Sequence, residues 1–146
     1  MAYEPHIPEI TTVIQLAVAP VFMLTAVGTI IAALTTRLNR AVDRRRDLEA
    51  LLPRMPETER PAALQELEFI ARRIHFVYLS ILSAVVSGLF VSLLIFGAFI
   101  ASFLRADISY SIGAMFALAV LALTVTLLLF LREIFLAVST PRHIPR

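Results

Sequence analysis

Gln15, Thr25, Thr29 and Thr36 stand among apolar residues near the start of the chain. On a helix advancing about 100° per residue they share a sector of roughly 80°, and Arg40 and Asp43 continue the same line. Amides and hydroxyls so arranged could hydrate an ion along a path. Arg40 and Asp43 would then form a charged ring at one end, with Glu4, His6 and Glu9 around the opposite, outer mouth. The residues also fit a plainer arrangement, in which the threonine hydroxyls bond their own i−4 carbonyls, Gln15 faces headgroups and the stripe is a helix contact. Pro20 lies inside the stripe and can shift its phase.

A second group is suited to assembly. Ala84, Gly88 and Ser92 recur every four residues, with Ser80, Ser83 and Ser87 beside them. Small residues at this spacing let helix backbones approach closely in lipid, where packing replaces the hydrophobic effect as the driving force. A third group, Arg37, Arg44, Arg72, Arg73, His75, Arg132 and Glu133, marks the borders of the apolar segments. His75 is a candidate proton sensor or a plain interfacial residue. Arg132 and Glu133 suit an interfacial anchor or a gating salt bridge.

Other chemistries are excluded by what is missing. The chain has no cysteine, so thiolate metal sites, cysteine nucleophiles and disulfides are all absent. It has no glycine-rich phosphate loop, no H-E-x-x-H, no metal-ligand spacing and no nucleophile, base and orienter set. No enzyme, cofactor or metal is expected, and membrane-embedded catalysis would have only Glu133, His75 and Asp43 to rest on. All thirteen basic residues are arginine, which reflects either a preference for bidentate partners or coding bias. From Arg37 to Arg73 nine arginines are interleaved with seven acids, which argues against a nucleic-acid surface. Anionic lipid headgroups are the expected partner of the arginines nearest the bilayer.

The elements that must position these residues are membrane helices. Of 146 residues 59% are hydrophobic, and three segments exceed the ~20 apolar residues that span hydrocarbon. They are residues 10–34, 74–104 and 108–131 of a single membrane domain. The second is longer than a ~30 Å core requires, so it tilts or projects. The N-terminal ten residues carry two glutamates and no Lys or Arg, and Pro20 follows an A-x-A sequence, so the first span is read as uncleaved. Nine arginines between the first two spans, against Arg105 alone between the second and third, place the N-terminus outside and the C-terminus inside.

Residues 35–73 form the inner loop. Arg40, Asp43, Arg44, Arg45, Asp47 and Glu49 supply i,i+3 and i,i+4 charge pairs that carry the first helix into the cytoplasm. Three prolines in "PRMPETERP" break it. Apolar residues then return at Leu64, Leu67, Ala71, Ile74, Tyr78 and Ile81, a heptad stripe matched by Leu34, Leu38, Val42, Leu48 and Leu52. The expected fold is all-α: three transmembrane helices, the first two extended into an antiparallel cytoplasmic hairpin ~20 Å long at ~1.5 Å per residue.

The blocks "IQLAVAPVFMLTAVGTIIAALTTRLNRAVDRRRDLE", "RRIHFVYLSILSAVVSGL" and "FLREIFLAV" resemble a family of small bacterial membrane proteins known as a domain of unknown function. The resemblance is most specific around Arg37, Leu38, Arg40, Asp43 and Arg44. It implies a bacterial inner-membrane protein with three spans, and no particular activity. Three helices leave no hydrated path within one protomer, so transport requires a symmetric homo-oligomer. The functional expectation is therefore a homo-oligomeric channel or pore for small ions lined by the first helix. The alternative is a membrane scaffold or regulatory subunit whose hairpin binds a cytoplasmic protein or anionic lipid.

Overall fold

The computed structural model describes residues 8–104 and 109–138. The first helix, α1, spans Pro8–Leu51 and runs unbroken through Pro20. A 3-10 turn, Leu52–Arg54, and an extended Met55 end it, as Pro53 and Pro56 dictate. The second helix, α2, spans Arg60–Leu104. Its first turn holds Pro61, where a missing N–H costs nothing, and the Glu59 carbonyl accepts the Ala63 N–H at 3.2 Å. The third, α3, spans Ser109–Val138. All three are long and apolar enough to cross a membrane, and no strand occurs among the described residues. Glu4, His6, residues 105–108, Arg142 and Arg146 lie outside the described residues.

Antiparallel to both neighbours, α2 is the central helix. Buried residues recur every seven positions on all three: Pro20, Val27, Leu34, Ala41 and Leu48 on α1, Ala63, Ile70, Val77, Ala84 and Val91 on α2, and Ala119, Thr126 and Glu133 on α3. A strict seven-residue repeat selects the left-handed supercoil, with ~3.5 residues per turn facing the partner. Many of the buried residues are small, whereas the outer surfaces of α2 and α3 carry Leu82, Val85, Leu89, Leu93, Leu121 and Leu128. Small inside and large outside suits lipid.

Two expectations need correction. The stripe leading into the second span has the right period but is one residue out of phase: Ala63, Ile70 and Val77 are buried, while Leu64 and Tyr78 are exposed and Ala71 is half-buried. The seam takes Ala63 over Leu64 and Val77 over Tyr78 but Ile70 over Ala71, so the phase is set by the packing of the helix as a whole. The local charge pairs also form only in part. Arg45 bonds Glu49 at 2.7 Å, but Arg44 reaches across to Glu66 on α2, also at 2.7 Å, and Asp43 and Asp47 join no ion pair among the described residues. Beyond the apolar segments the hairpin has a small core of its own, with Leu48, Ala63 and Ile70 packed by Leu52, Met55, Leu67 and Ile74.

Candidate functional site: a buried carboxylate between two arginines

Where the apolar segments meet the hairpin, one acidic residue turns inward. Glu133 is a seam residue of α3, two heptads beyond Ala119, and only 1% exposed. Arg37 Nη1 of α1 donates to its Oε2 at 3.0 Å. Arg73 of α2 donates to its Oε1 from Nε at 3.3 Å and from Nη2 at 2.9 Å. One carboxylate thereby ties all three helices together. The Arg37 guanidinium also lies 5.0 Å from the centroid of the Phe130 ring, a cation–π contact that fills the remaining side of the group.

Burying a lone carboxylate is costly unless it is paired and hydrogen-bonded. Here both oxygens have charge-assisted partners, and no buried side-chain nitrogen or oxygen among the described residues lacks one. The two arginines are only part-buried, so their remaining N–H groups reach the surface. The cluster carries two positive charges against one negative. No group of three or more His, Asp or Glu among the described residues comes together as a metal site.

Arg132 and Glu133 do not act as a pair. Consecutive helical residues point ~100° apart, and Arg132 turns outward to lie 4.9 Å from the Phe76 ring centroid on α2. His75 is exposed and meets Phe76 edge-on, and Arg72 bonds Glu68 one turn back. The joint between Arg37, Arg73 and Glu133 is tertiary and not apparent from local spacing. The signal available in the sequence was the isolated carboxylate at the heptad phase of Ala119 and Thr126.

Higher in the bundle the small residues of α2 meet both neighbours. Ser80, Ala84 and Ser87 are fully buried. Ser83 and Ser87 donate across to the Ala122 and Ala119 carbonyls of α3, each at 2.8 Å, while Ser80 and Ser92 bond their own helix. Gly88 faces α1, where an added Cβ would meet Val27 and Leu24.

The polar line on α1 points away from α2: Gln15, Thr25, Thr29, Thr36, Arg40 and Asp43 are all exposed. Thr25, Thr29 and Thr36 donate to the carbonyls of Val21, Thr25 and Ala32. Each hydroxyl oxygen keeps acceptor capacity directed outward. Glu9 lies in the first turn of α1.

A family model, DUF2721, described as protein of unknown function, matches residues 17–143. The chain belongs to that family. The match takes in all three DUF2721 residues of the ionic cluster and the whole hairpin. No curated protein and no solved structure matches the chain.

Proposed function

We propose that this DUF2721 protein is a homo-oligomeric channel or pore for small ions, lined by α1, in a bacterial inner membrane. One observation carries the reading: every exposed residue from Thr25 to Thr36 is threonine, alanine or glycine. At the same level the exposed residues of α2 and α3 are mostly leucine and valine, with Tyr78, Ala117 and Thr124 among them, as suits lipid contact. A small, hydroxyl-bearing face suits close approach of a second copy and an aqueous path better than it suits acyl chains. Within one protomer α1 packs along α2 and reaches α3 through Arg37, so the path forms between copies. Gln15, Thr25, Thr29 and Thr36 would line it, and Arg40 and Asp43 would ring its inner end. The N-out, C-in orientation, with the hairpin in the cytoplasm, rests on the arginine distribution.

The test is ion flux into proteoliposomes, comparing the protein with Gln15→Leu and Thr25→Val/Thr29→Val variants at equal density. Flux that these substitutions reduce or reselect supports the pore. Absence of flux above empty liposomes, across several ions and both voltage signs, rejects it.

The alternative, a scaffold or regulatory subunit, draws on a different feature. The hairpin exposes Leu51, Leu64 and Phe69 beyond the apolar segments, and exposed apolar residues on a charged surface suit a protein partner. Crosslinking from positions 51, 64 and 69 in intact cells would then capture a second protein species. Only self-crosslinks, or none, would remove this alternative.

A further inference from the structure

Between α2 and α3, beside the Glu133 cluster, lies an open groove of about 560 Å³ whose walls include Glu68, Arg72, His75, Phe76, Arg132 and Leu136. Its volume is within the ~300–1,000 Å³ of ligand clefts. Arg132 lies over the Phe76 ring and has no ion-pair partner among the described residues. Arg72 is paired with Glu68, but both side chains are about two-thirds exposed, 65% and 66%. An exposed pair of this kind is weak, so a second anion competes readily for the guanidinium. The groove therefore has two guanidinium groups and an imidazole against one carboxylate.

Seven residues from Arg72, His75 and Arg132, at the same positions of the repeat, stand Leu79, Leu82 and Val125. Leu82 and Val125 are exposed, at 50% and 40%. The groove is cationic at the border of the apolar segments and apolar one repeat deeper. That sequence of surfaces matches a molecule with a phosphate head and a hydrocarbon tail. It does not match a soluble anion.

We propose that this groove binds one anionic phospholipid, with the headgroup phosphate held by Arg72 and Arg132 and an acyl chain along Leu82 and Val125. The site stands apart from the α1 face and does not depend on the pore reading. Each arginine near a membrane surface strengthens binding of anionic lipid by about five-fold.

Native mass spectrometry of the purified full chain in detergent, titrated with phosphatidylglycerol or phosphatidylcholine, tests the site. Phosphatidylglycerol is expected to bind in preference. Arg72→Gln and Arg132→Gln should each weaken it about five-fold and the double variant about 25-fold. Phosphatidylcholine, whose choline offsets the same phosphate, should bind weakly throughout and lose less on either substitution, and Arg46→Gln on the hairpin should reduce neither lipid. Equal binding of the two lipids overturns the proposal, as does displacement by millimolar inorganic phosphate. An Arg46→Gln loss as large as that of Arg132→Gln also overturns it, because the attraction would then be diffuse. Arg72 is exposed and can be replaced without disturbing the fold. If Arg132→Gln unfolds, Arg72→Gln alone decides, and unchanged phosphatidylglycerol binding by it overturns the site.

Discussion

Replacing Glu133 by glutamine removes the charge that joins three helices while keeping the side-chain shape. A hydrogen bond to a charged group contributes ~1.5–3 kcal/mol, and two guanidinium groups depend on this carboxylate. The sum, ~3–6 kcal/mol, is an upper bound. The Arg37 and Arg73 side chains are 43% and 32% exposed, so both can turn toward water, and half of the bound is the expectation, ~1.5–3 kcal/mol. Arg37→Gln or Arg73→Gln alone should cost less, about 1 kcal/mol, because Glu133 keeps one partner. In the Glu133→Gln background either arginine substitution should add almost nothing, since neighbours that share a partner are not additive. Replacing all three by methionine should recover most of the loss, because a packed apolar substitute for a buried ion group is often neutral. The chain has no tryptophan, so unfolding is best followed by far-UV circular dichroism during titration of mixed micelles with dodecyl sulfate. A Glu133→Gln loss below about 0.5 kcal/mol, the usual range of surface substitutions, would refute the view that this carboxylate holds the helices together.

The other seams offer separate checks. At Gly88 a Cβ would lie 3.5 Å from Val27 Cγ1 and 3.9 Å from Leu24 Cδ2, so Gly88→Ala should be neutral or gain up to ~1 kcal/mol of helix propensity; Gly88→Leu should lose ~1–3 kcal/mol by prising α1 from α2, both read from the same titration. Ser87→Ala removes the 2.8 Å bond to the Ala119 carbonyl and should cost ~0.6–2 kcal/mol, whereas Ser92→Ala, whose bond stays within α2, should change unfolding by less than ~0.5 kcal/mol. Leu48→Ala, in the hairpin core, should cost ~2–3 kcal/mol and speed proteolysis around residues 52–59 while leaving the spans protected, as gel analysis of timed digests would show.

The three spans were legible because ~20 consecutive apolar residues have few alternatives to a membrane helix. The break at Pro53, Pro56 and Pro61 was equally plain, since proline acts on its own backbone and needs no tertiary context. The seven-residue period could be read, but its phase in α2 could not. Leu64 and Tyr78 look like better core residues than Ala63 and Val77 when burial is judged by hydrophobicity, a criterion suited to water-soluble folds. The seam takes the smaller neighbour at Ala63 and Val77 but the larger at Ile70, beside a half-buried Ala71, so the phase follows from how the whole helix packs against its neighbours and not from one pair of side chains. Arg44 shows a related limit. Asp47 and Glu66 are both suitable carboxylates, and only the pairing of α1 with α2 brings Glu66 within 2.7 Å. The polar line on α1 was read from the same periodicity, and its residues share the face turned away from α2.

The sevenfold recurrence along all three helices leaves one problem of alignment. A helix lined with similar small residues every seven positions could slide past its neighbour by one repeat, ~10 Å at ~1.5 Å per residue, and meet nearly equivalent surfaces. Ala119, Thr126 and their counterparts on α2 would scarcely distinguish the two settings. Glu133 does, because one repeat deeper its charge would meet Ile30 and Ser80 in place of Arg37 and Arg73, and one repeat the other way it would meet Glu66 and an Arg44 already paired with it. The carboxylate therefore works as the indexing tooth of a ratchet, setting the vertical registration of α3 against the other two helices much as a single buried polar residue sets the alignment of a coiled coil.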